Sequence, residues 1–260
     1  MLTRLQKHEF DTFGFLLLKN LIPLDEMQPF IDGFDETLIN ANGGVPWEHA
    51  PTNHCVTPFF RQNPDLYHQL LDHEKVSGAV EELLGPSYVF GVSEGHHRFG
   101  ETTWHHDDVA PDGFTHLKVV FFLDSVRSDT GCLRVLPGTQ YPQVREHMEN
   151  WYEFHTKRDT YPWPSAVSLE SDPGDAVIFN VKLYHAAFGK TSDRRGIYMN
   201  YYQKPTTTEE EDYVINIYER DASNIGSQYY TSELFADATP ARMKMLSFLK
   251  ERCYDPSHAA

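Results

Sequence analysis

Apolar residues recur at helical spacing over the first third of the chain. Between residues 26 and 40 they fall three or four positions apart, which predicts a helix. A second stretch with the same period, residues 66–84, ends at Gly85 and is predicted to form one helix. The short apolar run 15–18 follows Gly14 and predicts a strand before the first of these helices.

The pattern changes after residue 86. Short runs rich in β-branched and aromatic residues, separated by Gly, Pro and Asp, predict seven strands, at residues 87–94, 103–107, 117–123, 132–136, 167–169, 176–180 and 196–202. No helical stretch alternates with them, so we expect an antiparallel barrel or jelly roll rather than a parallel sheet. The predicted fold class is therefore mainly β with flanking helices.

Length and pattern together predict one domain, because 260 residues suffice to bury a substantial core. Residues 1–86 are predicted to form a helical N-terminal support and residues 87–205 the barrel core. Residues 206–260 are predicted to form a helical cover over the barrel mouth, ending in an amphipathic helix that begins at Pro240.

Composition narrows the range of partners. A hydrophobic fraction of 40% is typical of a globular protein, and a net charge of -16 argues against nucleic acid or an anionic membrane as a partner. The three cysteines are few and widely spaced, so no disulfide framework is expected. With neither a signal peptide nor a long apolar span in the sequence, we expect a cytoplasmic protein, and the oligomeric state stays open.

Candidate chemistry is concentrated in residues 104–108, which contain two overlapping His-x-Asp pairs. Residues i and i+2 of a strand lie on one face, about 7 Å apart at Cα, so either pair can reach one metal ion. His185, which follows a distant apolar run, is the candidate third ligand. Two histidines and one carboxylate form the facial triad of non-haem Fe(II) oxygenases. The local pattern does not decide between His105/Asp107 and His106/Asp108, although only one pair can point inward.

Several segments, taken in order, resemble one known family. They are Phe10-Asp-Thr-Phe-Gly-Phe-Leu-Leu-Leu-Lys19, Trp104-His105-x-Asp107, Gly131-Cys-Leu-Arg-Val-Leu-Pro-Gly138, Pro173-Gly-Asp-Ala-Val-Ile-Phe179, His185 and Arg194-Arg195. This order is similar to that of the phytanoyl-CoA dioxygenase family of iron- and 2-oxoglutarate-dependent oxygenases. In that family the ligand histidine directly follows the tryptophan, which implies His105, Asp107 and His185 as the metal ligands. The implied fold is a double-stranded β-helix, a cupin-like jelly roll.

The resemblance also implies the cofactors and the reaction. Fe(II) would be the metal and 2-oxoglutarate the co-substrate. With O2, an unactivated C–H bond of a small-molecule substrate would be hydroxylated, releasing succinate and CO2. The acidic chain shows no basic entrance suited to a coenzyme A thioester, so a free small molecule is the expected substrate. The alternatives are a cupin-like metal-binding or sensor protein without turnover, and a divalent-metal hydrolase.

The distal carboxylate of 2-oxoglutarate needs a cation, and arginine binds a carboxylate bidentately while staying charged. In the resembling family this arginine follows the distal histidine and opens the last barrel strand, which implies Arg194 or Arg195. Neighbours on a strand face opposite sides, so only one of them points inward. Alignment of the strand favours Arg194, and Arg195 stays open. Thr103 or Tyr198 is expected to supply an assisting hydroxyl group.

Other histidines match no motif of the family. We expect His96 and His116 to lie at the surface rather than to bind a metal.

Overall fold

The computed structural model describes residues 1–46, 53–107, 110–151, 154, 163–189 and 193–256. The α-helices in these residues are α1 (Arg4–Phe13), α2 (Leu24–Ala41), α3 (Pro64–Asp72), α4 (Glu74–Leu84), α5 (Pro142–Glu149), α6 (Thr208–Ile225), α7 (Ser232–Phe235) and α8 (Pro240–Cys253). The strands are β1 (Phe15–Leu18), β2 (His54–Val56), β3 (Val89–Phe99), β4 (Thr102–His105), β5 (His116–Phe122), β6 (Thr130–Val135), β7 (Val167–Leu169), β8 (Ala176–Asn180), β9 (His185–Gly189) and β10 (Asp193–Tyr202).

The strands form two antiparallel sheets. The larger sheet has the order β1-β8-β5-β10-β3-β2, and the smaller sheet has the order β4-β9-β6-β7. Neighbours in each sheet are mostly far apart in sequence, as expected for a jelly roll. The predicted fold class, a double-stranded β-helix with flanking helices, is confirmed.

The two faces of β5 pack into two different cores. Even-numbered apolar residues belong to one core and odd-numbered ones to the other. Val120 and Phe122 face the space between the sheets, where they pack with Cys132 and Val135 of β6. Val119 and its odd-numbered neighbours face away from the small sheet and belong to the core shared with the helices. Because side chains alternate across a strand, β5 contributes to both cores.

Helices from both ends of the chain pack on the outer face of the large sheet. The buried side chains of α2, such as Phe34, and those of α8, such as Leu249, belong to the same core cluster. In the described part of residues 206–260, α6 to α8 contribute buried side chains to this helix-facing core, and the cover over the barrel mouth stays a prediction. None of the described helices is long and apolar enough to cross a membrane.

Three local predictions differ from the structure. Residues 66–84 lie in two helices, because the backbone of His73 is extended (φ -68°, ψ 117°) between α3 and α4. The segment 1–86 contains, besides the predicted strand at residues 15–18, an unpredicted strand, β2, which pairs with β3. The strand β9, which begins at His185, was not among the predicted strands. A turn, in which the Leu183 N–H donates to the Asn180 carbonyl (2.9 Å), carries the chain from the large sheet to the small one.

Candidate active site

His105 and His185 lie directly opposite each other on two neighbouring strands. They are Cα partners in the pairing of β4 with β9, and their ring centroids are 4.2 Å apart. Asp107 lies two residues beyond the end of β4, where its backbone N–H donates to the Val181 carbonyl (3.0 Å). Its Oδ1 atom is 3.6 Å from Nε2 of each histidine. The structure thus brings the three predicted ligand side chains to one point.

The backbone determines which ring nitrogen of each histidine carries the proton. Nδ1 of His105 lies 2.8 Å from the Thr103 carbonyl, and Nδ1 of His185 lies 2.9 Å from the Leu183 carbonyl. A carbonyl oxygen can only accept, so both Nδ1 atoms donate and both neutral rings present an unprotonated Nε2. This is the tautomer that binds a metal, with the other ring nitrogen donating to a carbonyl.

The protonation states of two of these groups also suit a metal. Burial lowers the pKa of His185 to about 4, so its ring is neutral at pH 7. Burial alone would raise the pKa of Asp107, but the adjacent charge of Lys118 and the histidines bring it well below its usual range. Ligands about 2.1 Å from one ion lie about 3 Å or more from each other, and the ligand atoms here are all within 4.8 Å. The donor set therefore fits a divalent metal.

The histidine of the second His-x-Asp pair does not face this point. The His106 ring packs edge-on against Tyr184, with centroids 5.2 Å apart and an interplanar angle of 87°. Tyr184 belongs to a cluster on the outer side of the small sheet, together with Trp104. Asp108, the other half of this pair, lies outside the residues the structure describes.

A cavity of about 180 Å³ adjoins the three ligand side chains between the two sheets. Its lining combines the metal-ligand candidates with apolar groups and with an unusual number of charged ones. The further lining residues are Glu94, His96, Arg98, Thr102, Lys118, Phe122, Leu133, Phe179, Ala186, Ala187, Arg194 and Tyr198. Such a concave space with converging polar groups is typical of a small-molecule site.

The two adjacent arginines face opposite sides of β10. Arg194 is 4% exposed and lines the cavity, where it donates to the Gly100 carbonyl (3.1 Å) and to Oγ1 of Thr102 (3.2 Å). Within the described part of the chain it forms no ion pair, and a buried guanidinium without a counter-charge is costly. Arg195 instead pairs with Asp124 and Asp35 outside the cavity.

A second guanidinium, which the sequence did not reveal, lies beside Arg194. Arg98 also lines the cavity and is the Cα partner of Arg194 in the pairing of β3 with β10. Like charges directly opposite on a sheet destabilise it unless an anion lies between them. The pair therefore marks this end of the cavity as suited to a carboxylate.

The prediction for Thr103 differs from the structure. The side chain of Thr103 is exposed and does not line the cavity, whereas that of Thr102 does. The reason is the period of two along β4, which places neighbours on opposite faces. Tyr198, the other predicted hydroxyl, lines the cavity.

The expectation that His96 and His116 lie at the surface is wrong. His96 is 8% exposed and lines the cavity, and His116 is 4% exposed. Glu94, His96 and Arg98 are two residues apart and therefore lie on one face of β3. This spacing in the sequence could have indicated a polar face that includes His96. Lys118 was a weaker indication of a cavity residue, because it is the one lysine, arginine or carboxylate residue in the otherwise mostly apolar strand β5.

Cys55, Glu94 and His96 form a second group whose ligand-type atoms lie within 4.8 Å of each other. Nε of Arg98 donates to Nδ1 of His96 (3.0 Å), which places the proton of the neutral ring on Nε2. That proton faces Glu94 Oε2 at 2.8 Å. Nε2 of His96 is therefore a hydrogen-bond donor in this arrangement and not a metal ligand.

Comparison with known proteins places the chain in a family. The profile of the family described as phytanoyl-CoA dioxygenase (PhyH) matches residues 10–197. L-proline trans-4-hydroxylase of Streptomyces griseoviridis is 27% identical over 164 residues, which is 50% of this chain and 60% of that protein. Human peroxisomal phytanoyl-CoA dioxygenase is 24% identical over 216 residues, 72% of this chain and 64% of that protein. The chain thus spans less than two thirds of these relatives.

A solved structure has the same fold. HygX from Streptomyces hygroscopicus, with nickel and 2-oxoglutarate bound, superimposes with a TM-score of 0.62 at 17% identity, covering 80% of this chain and 89% of HygX. At this identity the likeness concerns the fold alone. The family profile, in contrast, covers most of the chain, and the chain therefore belongs to the phytanoyl-CoA dioxygenase family.

Proposed function

We propose that this protein is an Fe(II)- and 2-oxoglutarate-dependent oxygenase that hydroxylates an unactivated C–H bond of a small molecule. The observation that carries the proposal is the convergence of three metal-ligand groups, with both Nε2 atoms unprotonated, beside a buried arginine that has no ion-pair partner among the residues the structure describes. Membership of the family, whose characterised members include 2-oxoglutarate-dependent oxygenases, supports it.

His105, Asp107 and His185 would hold the iron. Iron with bound 2-oxoglutarate and O2 supplies the oxidising power for hydroxylation, with succinate and CO2 as products. Because only three protein groups would bind the iron, coordination positions would stay open for the co-substrate and O2. The backbone bonds at both Nδ1 atoms keep the imidazole rings in place during turnover.

Arg194 would bind the distal carboxylate of 2-oxoglutarate. Thr102 already accepts from one nitrogen of Arg194 and the Gly100 carbonyl accepts from the other, which orients the planar guanidinium. Arg98, on the neighbouring strand, adds positive charge at the same end. Apolar side chains such as Phe122 and Leu133 line the same cavity and would exclude water around the co-substrate.

The substrate is proposed to be a free small molecule rather than a coenzyme A thioester. The cavity of about 180 Å³ also has to hold the co-substrate, so little space is left between the sheets. The net charge of -16 also repels coenzyme A, whose phosphate groups are negatively charged. The three cysteines are free, which fits a reducing compartment such as the cytoplasm.

The alternative is a metal-binding jelly roll without turnover, and one assay separates the two. Anaerobic addition of Fe(II) and then 2-oxoglutarate should produce a weak visible charge-transfer band. Admission of O2 should then yield succinate, measured by mass spectrometry, even without the substrate. Tight zinc binding with neither band nor succinate would support the alternative.

A pair of matched variants tests the ligand set. His105→Ala should abolish both the band and succinate formation, because it removes a ligand. His106→Ala should retain both, because its ring packs against Tyr184 outside the cavity. Loss of the band in His106→Ala and its retention in His105→Ala would mean that the other pair binds the metal.

A further inference from the structure

A lysine whose side chain is only 14% exposed lies between the candidate metal ligand Asp107 and a second carboxylate, that of Glu94. Nζ of Lys118, on β5, lies 3.0 Å from Oδ2 of Asp107 and 3.6 Å from Oε1 of Glu94. Lys118 lies on the same face of β5 as Val120 and Phe122, because residues two apart in a strand face the same side. Its side chain therefore points into the space between the sheets. A charge in an otherwise apolar strand is costly and calls for a specific reason.

The two oxygens of Asp107 have different surroundings. Oδ1 is 3.6 Å from Nε2 of both His105 and His185, at distances too long for hydrogen bonds. Oδ2 instead lies within hydrogen-bond distance of the Lys118 ammonium group, at 3.0 Å from Nζ. A carboxylate with one oxygen held in this way presents only the other oxygen to a metal.

We propose that Lys118 is a positioning residue that holds Asp107 in one-oxygen metal binding, an inference that rests on the proposed iron site. Without Lys118, the carboxylate can turn about its Cβ–Cγ bond or bind the metal through both oxygens. Two-oxygen binding takes up a coordination position that 2-oxoglutarate or O2 requires. Lys118 therefore acts on the metal through Asp107 and does not touch it.

Glu94 holds the lysine in turn. Its Oε1 accepts from Nδ2 of Asn200 (2.8 Å), and its Oε2 accepts from the Nε2–H of His96 (2.8 Å), so the carboxylate has a defined orientation. Its negative charge also offsets that of Lys118. Removing Lys118 alone leaves two partly buried carboxylates near each other, which threatens folding as well as metal binding.

The test separates positioning from charge balance. Lys118→Met removes the ammonium group, and the double variant Lys118→Met/Glu94→Gln removes it together with the charge it balances. Lys182→Met is the matched control, because Lys182 is a buried lysine, 6% exposed, that does not line the cavity. Each protein is titrated anaerobically with Fe(II), and the charge-transfer band is recorded after addition of 2-oxoglutarate. Thermal unfolding without metal reports folding.

If Lys118 positions Asp107, both Lys118 variants bind Fe(II) about 10- to 100-fold more weakly and shift the band, while Lys182→Met matches the wild type. The double variant should recover thermal stability without recovering Fe(II) affinity. Wild-type affinity in either Lys118 variant overturns the proposal, because Lys118 would then serve only to neutralise carboxylates. A wild-type protein that binds no Fe(II) would instead overturn the proposed function, and this inference with it.

Discussion

At the scale of single residues, two neighbouring arginines have opposite orientations, which makes only one of them a candidate for binding the co-substrate. Arg194 lines the cavity and has no counter-ion among the described residues, whereas Arg195 bridges Asp124 and Asp35. Their side chains are of the same type and adjacent in sequence. They are therefore a matched pair for one experiment.

We expect Arg194→Leu to raise the dissociation constant of 2-oxoglutarate about 10- to 100-fold, because hydrogen bonds between charged groups contribute about 1.5 to 3 kcal/mol. Arg195→Leu should leave that constant nearly unchanged and lower the free energy of unfolding by about 1 kcal/mol. The first quantity comes from titrating the anaerobic charge-transfer band and the second from urea unfolding. Equal effects on 2-oxoglutarate binding would contradict the assignment of Arg194.

At the scale of secondary-structure elements, the end of β9, the strand that begins at His185, lies very close to the start of β6. Gly189 ends β9 opposite Thr130, and a Cβ atom there would lie 2.5 Å from the Asp129 carbonyl oxygen and 2.7 Å from the Gly131 nitrogen. Both neighbours are backbone atoms, which cannot move aside as a flexible side chain can. A side chain at residue 189 would therefore push the two strands apart.

Gly189→Ala should lower the free energy of unfolding by about 1 to 3 kcal/mol, through overpacking against backbone. The matched control is Gly78→Ala in α4, where a Cβ meets nothing within 4 Å. Alanine there should stabilise the protein by about 0.5 to 1 kcal/mol, because it favours the helix. Urea unfolding of both variants measures the difference. If the Gly189→Ala protein is as stable as the wild type, the backbones of β9 and β6 are further apart than these distances indicate.

At the scale of the whole molecule, buried neutral histidines make stability depend on pH. His116 accepts from the Tyr213 hydroxyl at Nδ1 (3.1 Å) and donates from Nε2 to Oδ1 of Asn200 (3.2 Å), so both nitrogens are satisfied in the neutral form. Burial, with the nearby charge of Lys118, lowers the pKa of His116 to about 3 from an ordinary value of 6.5. The unfolded chain therefore takes up a proton at a higher pH than the folded one.

The stability that the neutral form of His116 contributes is complete above pH 6.5 and is lost progressively as pH falls from 6.5 to 3. At pH 5 the loss from this group is about 2 kcal/mol, since each pH unit below 6.5 costs about 1.4 kcal/mol. His116→Gln keeps a donor and an acceptor but does not titrate. Urea unfolding without metal at pH 7 and pH 5 should show a drop smaller by about 2 kcal/mol in the variant. An identical drop in both proteins would show that His116 is protonated in the folded state.

The sequence by itself determined the class of fold and the positions of the ligand candidates. Periods of two and of three to four residues indicated strands and helices, because local spacing decides which face of an element is apolar. The same period established that Arg194 and Arg195 face opposite sides. It also established that only one His-x-Asp pair could point inward, and the order of motifs identified His105 and Asp107.

Tertiary structure alone decided which charged groups meet. Glu94 on β3 and Lys118 on β5 are brought together by β10, which pairs with both strands. Asp107 joins them through a hydrogen bond to Val181, more than seventy residues away. In a jelly roll neighbouring strands come from distant parts of the chain, so no local spacing predicts these contacts. The charge of Lys118 could be seen in the sequence, but its partners depend on how the strands pair.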